Sequence, residues 1–388
     1  MTVLPGCPSG SDELSDEAKA LIEWATSDLG PQPILDAHVH IVGLGKNDSG
    51  CWVNPRMSQM MSHPKDWVRF QIYQAAAGVK DLANADRQYV EVLAQLLRTM
   101  PVPVHALAFA FDYIHDKAGV PQMQTSEFYT PNSHVLQIAR SHPHISPVAS
   151  VHPYRPDAVE ALHAAAEGGA VAVKWLPNAH RIDPASPLCD PAYAAMVKLD
   201  LPLITHAGIE QAVEAEDAQE MGHPLRLRRA LDAGVRVIVA HCASLGEYAD
   251  TDDPQRTTRS AFEMFVRLMD TPQYEGQLFG EISAVTLFNR VSSPLPEILR
   301  RQDLHPRLIH GSDYPIPAID LLINTWQLRA KGLIDPDHRA PLAEIWKVNP
   351  ILFDLILKRC LRHPDSPDVH FPASVFQPSS DIFGRLTL

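Results

Sequence analysis

The fold class the sequence predicts is α/β, a (β/α)₈ barrel, and three observations predict it. Short apolar runs alternate with helical segments along most of the chain, which is how parallel βαβ units read. Eight such runs occur in order, at 34–40, 102–111, 145–152, 170–176, 201–206, 235–241, 278–285 and 308–312. Most are separated by one βα unit of roughly 30–40 residues. The polar residues able to do chemistry fall at the same end of successive runs, the end that carries the active site in this architecture. The chain has 388 residues, 45% of them hydrophobic, which leaves room for such a barrel, of roughly 250 residues, and for additions.

The elements follow in order. Residues 1–33 read as a leader with one helix at about 15–29. The first run, 34–40, ends Asp36-Ala37-His38-Val39-His40. Residues 41–101 are too long for one unit: a loop with Gly43, Gly45 and Gly50 precedes helical segments at 64–77 and 82–100. Residues 112–131 form a second, polar insertion. Helices are expected at 157–167, 191–199, 224–233 and 258–269, where apolar residues recur at helical spacing. Gly168, Gly169 and Gly234 stand where helices should stop. Residues 342–362 read as closing helices and a Pro-rich tail follows. The whole reads as one domain, 1–388, with the barrel core at about 34–330 and C-terminal helices and tail at 331–388.

Composition excludes several functions. The formal charge is −13, and the basic residues are scattered apart from Arg226, Arg228 and Arg229. No basic stripe suits a phosphate backbone, so nucleic acid is not expected as a partner. Cys7, Cys51, Cys189, Cys242 and Cys360 are far apart and odd in number, so neither a disulfide framework nor a cysteine zinc site is expected. Leu4-Pro5-Gly6-Cys7 faintly resembles a lipoprotein cleavage box, yet no charged region or apolar stretch precedes it, and the segment reads as a mobile N-terminus. No run of about 18 apolar residues offers a membrane span. The expected setting is the cytoplasm and the expected partner a small-molecule substrate, with a homo-oligomer left open.

The strand ends carry the chemistry. On a strand, residues i and i+2 face the same side, so His38 and His40 should project together into the barrel mouth and could grip one metal ion. Lys174 sits inside the apolar run Val171-Ala172-Val173-Lys174-Trp175-Leu176. A buried lysine there costs several kcal/mol unless it is paired or chemically altered. His206 ends the next run and His241 the one after, each a single βα unit further on. Asp313 ends the eighth. Singly, each has an ordinary structural explanation; six in register point to a metal site.

This pattern resembles the amidohydrolase superfamily, the metal-dependent hydrolases built on a TIM barrel, from about residue 34 to 315. The resemblance rests on His38-Val39-His40, Lys174, His206, His241 and Gly311-Ser312-Asp313-Tyr314-Pro315. It is strongest toward the mixed, amidohydrolase-2-like branch that contains lactonases and aromatic-acid decarboxylases. The resemblance implies that His38, His40 and Asp313 hold one ion and His206 and His241 a second. A carbamylated Lys174, formed with CO₂, would bridge them if the site is binuclear. Zinc comes first as the divalent metal, one ion or two, with manganese, iron or cobalt as alternatives. Asp313 would be the catalytic residue that takes the proton from an acidified water.

Trp175, Asn178, His180, Arg181 and Tyr314 are the candidate substrate-binding residues. His152, Glu281, Ser283, Asn289 and Arg290 are further polar groups near strand ends, and Arg181 or Arg290 could clamp a carboxylate. The expected function is a metal-dependent hydrolase that uses a bound water to cleave an amide, lactone or ester-type bond. The alternatives are a metal-dependent decarboxylase of an aromatic or unsaturated acid and a binding barrel without catalysis.

Overall fold

The structure is a computed structural model, and it describes residues 14–387; Cys7 and the box around it lie outside them. Eight parallel strands form one sheet in chain order: β1 (Ile34–His40), β2 (Val104–Phe109), β3 (Ile145–Ala149), β4 (Ala172–Trp175), β5 (Leu203–His206), β6 (Val237–Ala240), β7 (Leu278–Glu281) and β8 (Leu308–Ile309). The barrel closes between β8 and β1. There Ala37 N donates to His310 O at 3.0 Å, Asp313 N to His38 O at 2.8 Å and His40 N to Tyr314 O at 3.0 Å. The expected barrel, leader helix, insertion and closing helices are all present. Apart from β1, the strands are shorter than the apolar runs, which continue into the loops at one end or both.

Alternation sorts the strand residues into two layers. Leu35, Ala37, Leu107, Phe109, Val148, Ala172, Ile204, Ile238, Phe279 and Ile309 pack together inside the barrel. Ile34, Ala106, Val173, Leu203, Val237, Leu278 and Leu308 belong to the outer layer under the helices. Strict alternation would then turn His38 and His40 outward with Ile34. Instead Asp36 pairs with Ala106 while Val39 pairs with Ala108, so β1 carries one extra residue between them. This bulge switches the parity of the strand. Val39 goes to the outer layer, and both histidines turn to the mouth.

The helices follow the sequence with local changes. Ala261–Met269 starts at a capping box of Ser260 and Glu263, and Thr258–Ser260, expected as its first turn, instead pairs as a short strand with Glu247–Ala249. The expected 224–233 helix is a 3₁₀ turn, Pro224–Leu227, followed by the helix Arg228–Asp232. The 342–362 segment breaks at Asn349, whose side chain accepts from Ile351 N and Leu352 N to start a new helix at Pro350.

Two additions finish the barrel. The tail covers the end opposite the mouth: Ile382, Phe383 and Leu386 join the inner cluster, and Arg385 Nη2 donates to Ala166 O at 2.7 Å. The insertion covers the mouth. Its loop is tied by Asp86, which accepts from Leu44 N at 2.6 Å, Gly45 N at 3.0 Å and Lys46 N at 3.1 Å. Its helix Pro64–Ala76 is tied through Arg69 and Arg56, both of which donate to the buried Glu127. Within the 112–131 segment, Phe128–Tyr129 pairs with Trp52–Val53. The described cysteines are buried and unpaired. No helix among the described residues is long and apolar enough to cross a membrane.

Candidate active site

The parity switch in β1 and the closure of β8 onto it bring His38, His40 and Asp313 together. Asp313 Oδ1 lies 3.3 Å from His38 Nε2 and 3.2 Å from His40 Nε2, and the two imidazole nitrogens are 3.2 Å apart. His241, just past β6, stacks on His38 with ring centroids 5.1 Å apart, and its Nε2 is 4.0 Å from Asp313 Oδ2. His206, at the end of β5, meets the His241 ring edge-on at 5.5 Å. Candidate ligand atoms of His38, His241 and Asp313 all lie within 4.8 Å of one another.

Backbone strain helps aim these groups. Asp313 has φ 63°, and His241, Cys242 and Ala243 have φ 57°, 51° and 50°. Left-handed conformations in such residues cost about 1–3 kcal/mol each and persist where the surroundings enforce them. Here Asp313 N is held by His38 O. Behind it, Ser312 N donates to buried Asp36 at 2.7 Å, and Lys358 Nζ donates to Gly311 O and to Asp354, each at 2.6 Å. Gly311 has to be glycine: a Cβ there would stand 2.5 Å from Glu281 Oε1 and 2.7 Å from His38 Cβ.

A second tier orients the imidazoles. His38 Nδ1 donates to Glu281 Oε2 at 2.8 Å. Ser283 Oγ donates to the same oxygen at 2.7 Å, and His241 Nδ1 donates to Ser283 O at 3.1 Å. Both rings therefore present an unprotonated Nε2 to the mouth, the arrangement of metal-ligating histidines. Burial, the largest influence, holds His38 and His241 well below the ordinary imidazole range. Burial also lowers His206, against the opposing charge of Glu210. The His38, His206 and His241 rings are thus held neutral, and the Nε2 atoms of His38 and His241 face Asp313. His206 Nε2 is sealed with no hydrogen-bond partner. Imidazole nitrogens converging on one carboxylate oxygen are a donor set that suits a divalent cation, so these residues fit one.

Lys174 points into the barrel from β4, level with Ile204 and one layer below His206. Its Nζ lies 4.9 Å from the Phe109 ring centroid, and that ring also packs against His38 and His40. Among the described residues the amine makes no hydrogen bond or ion pair, and burial lowers its pKa to about 8.

The candidate substrate residues are placed elsewhere. Trp175 lies in the outer layer: its Nε1 donates to Val151 O at 2.9 Å and its ring packs on Tyr193. Asn178 braces loops, donating to Gly208 O and Gln219. Arg181 is partly exposed and pairs with Asp217 at 2.8 Å. Tyr314 is buried against Tyr89. His180 is buried, accepts from Leu176 N and packs on Phe111; Phe111 and Tyr89 both line the cavity described next, so His180 and Tyr314 each lie behind one of its walls.

That cavity opens beside His40 and Asp313 and is almost wholly apolar. Val53, Phe70, Tyr73, Tyr89, Phe111, Phe128 and Val213 are among its walls. Most of the lining comes from the 41–101 insertion, whose role the sequence left open. Phe70, Tyr73 and Ala77 recur at helical spacing, and that face was a legible signal for it. Glu281 and Ser283 stand behind the histidines rather than facing a substrate; their i, i+2 spacing at the end of β7 was the corresponding clue. A second acidic group, Asp66, Glu127 and Glu214, is neutralised by Arg56 and Arg69 and serves as an ionic tie.

The fold and this mouth define a barrel enzyme with a candidate metal centre. A family model described as amidohydrolase matches residues 35–340, and the chain belongs to the amidohydrolase family. A comparison with proteins of curated function gives no match. Among solved structures, the chain is similar to an uncharacterized TIM-barrel protein of Bordetella bronchiseptica, with 14% identity over 80% of this chain and 95% of that one and a TM-score of 0.49. It is also similar to a candidate 2-pyrone-4,6-dicarboxylic acid hydrolase of Pseudomonas putida, with 14% identity over 92% and 99% and a TM-score of 0.45. A third is a 5-carboxyvanillate decarboxylase of Novosphingobium aromaticivorans with bound manganese, with 11% identity over 83% and 96% and a TM-score of 0.46.

Proposed function

We propose that this chain is a metal-dependent hydrolase that cleaves an amide, lactone or ester-type bond of a small molecule. His38, His40, His206, His241 and Asp313 would hold the metal, and Lys174, carbamylated by CO₂, would supply a further anionic oxygen ligand. The observation that carries the reading is Lys174. A buried amine that makes no hydrogen bond or ion pair among the described residues, with burial lowering its pKa to about 8 against the pull of Glu281, Asp313 and Glu210, is about one-tenth deprotonated at pH 7, and that neutral fraction is open to CO₂. The carbamate is an anionic oxygen ligand, and its formation removes the cost of burying an ammonium.

A cation bound here, zinc first and otherwise manganese, iron or cobalt, supplies Lewis acidity toward the carbonyl and acidifies water. The chain's own residues do the rest. Asp313 Oδ1 stands at the junction of His38 and His40, where it accepts the water proton and returns it to the leaving group. Glu281 and Ser283 hold the rings. The apolar cavity excludes bulk water and takes the hydrocarbon part of the substrate.

One observation favours decarboxylation as a second reading. His38, His241 and Asp313 cluster within 4.8 Å, the size of a single-ion site, and Lys174 and His206 are outside that set. Elemental analysis and intact mass of the purified protein, with a panel of lactones, amides, esters and unsaturated acids, separate the two. Hydrolysis predicts two metal equivalents, a bicarbonate-dependent activity on the panel and its loss in Lys174→Met. One equivalent, a plain lysine and full activity in CO₂-free buffer would overturn the binuclear hydrolase.

A further inference from the structure

Arg290 lies in the turn-rich loop that follows β7, buried at 6% exposure. Its Nη1 donates to Ser244 Oγ at 3.0 Å, its Nε has no partner, and its Nη2 makes no hydrogen bond among the described residues. No carboxylate lies within ion-pair distance of it among those residues. Arg359 is similarly buried at 9% but fully engaged. Its Nε and Nη1 donate to Ala25 O and Phe371 O, each at 2.8 Å, and its Nη2 pairs with Asp28. A guanidinium taken out of water without a counter-ion is unfavourable unless an anion arrives to meet it.

The position of Arg290 is the mouth of the barrel. Ser244 follows the left-handed turn that carries His241, and Ser244 N donates to His241 O at 3.0 Å. The Arg290 charge acts on both His206 and His241. Glu210, Asp313 and Glu281 attract it without touching it. The neighbouring Asn289 bonds Gln211, beside Ala212 and Val213 of the apolar cavity.

We infer that Arg290 is the anion-binding group of this site and that the substrate carries a carboxylate, held by the free Nε–Nη2 edge, with its hydrocarbon part in the cavity under Phe70, Tyr73 and Phe128. The inference rests on the proposed catalytic mouth and deepens it. Two unpaired N–H groups on one edge of a planar guanidinium match the two oxygens of a carboxylate. Ser244 fixes the other edge, so the fork is oriented before the ligand arrives. Arg181, the other arginine near a strand end, is already paired with Asp217.

The test is calorimetric titration of the metal-loaded protein with benzoate and with benzamide, a neutral analogue of the same shape. Wild type should bind benzoate at least about tenfold more tightly than benzamide. Arg290→Met should weaken benzoate by about 10- to 100-fold, as expected for loss of a charge-assisted bond, with benzamide binding and metal content unchanged. If that variant does not fold, Arg290→Lys keeps the charge but not the fork and should still weaken benzoate by about tenfold. Equal benzoate affinity in the folded variant and wild type would overturn the inference, as would no preference over benzamide or no benzoate binding at millimolar concentration. Turnover is not read, so failure of the hydrolytic reading leaves this test intact.

Discussion

Replacing Glu281 with glutamine probes how the protein prepares the mouth. Glu281 is fully buried, and its carboxylate accepts three bonds: His38 Nδ1 at 2.8 Å, Ser283 Oγ at 2.7 Å and Ser283 N. Glutamine has the same shape but only one acceptor oxygen. If that oxygen stays on Ser283 N, the new NH₂ faces His38 Nδ1. The imidazole must then accept there and carry its proton on Nε2, the atom 3.3 Å from Asp313. A protonated Nε2 cannot ligate. If the amide flips instead, His38 keeps its acceptor and the Ser283 backbone loses one. Burial raises the Glu281 carboxyl to about 7, so the charge is not counted; either way a buried hydrogen-bonding group loses its partner, which costs about 1–3 kcal/mol. That agrees with the 10- to 100-fold, or about 1.4–2.7 kcal/mol, typical of removing a ligand's orienting partner. Competition against a chelator of known affinity should therefore show metal binding weakened by about 10- to 100-fold, and circular dichroism should show an unchanged fold. Metal affinity within about twofold of wild type would refute the reasoning that Glu281 sets the His38 tautomer.

Gly311→Ala should fold but lose metal affinity by at least about tenfold, because the added Cβ presses on Glu281 and His38 together; equal metal content after dialysis would count against that packing. His105, far from the mouth, reads out acid stability. It is a buried ring bonded to Ser146 Oγ at 2.8 Å, and burial lowers its pKa from 6.5 to about 4. The folded state resists protonation that the unfolded chain accepts, so stability from this group is full above about 6.5 and falls as the pH drops toward 4. The loss is at most about 3 kcal/mol. His105→Gln should flatten that limb of the melting temperature against pH, and an unchanged limb would show that another group governs it.

The sequence by itself determined the barrel and the positions of its chemistry. Parallel strands covered on both faces are mostly apolar, so the eight runs stood out, with His206, His241 and Asp313 at their ends and Lys174 as the exception inside one. Side-chain direction was a different matter. Alternation from Ile34 gives the wrong parity for His38 and His40, and only pairing with β2 places the extra residue that turns them inward. Glu281 and Ser283 read only as polar groups near a strand end, because the bond between Glu281 and His38 links β7 to β1 and strand order alone does not specify a contact across the barrel. Trp175 and Asn178 were near the right strand end, but their hydrogen bonds to Val151 and Gly208 depend on neighbouring loops. The covering of the mouth by the 41–101 insertion, and of the opposite end by Ile382, Phe383 and Leu386, came only from tertiary packing. Helical spacing marks which face of a segment is apolar, whereas the surface that face covers is chosen by the shape of everything else the chain has folded.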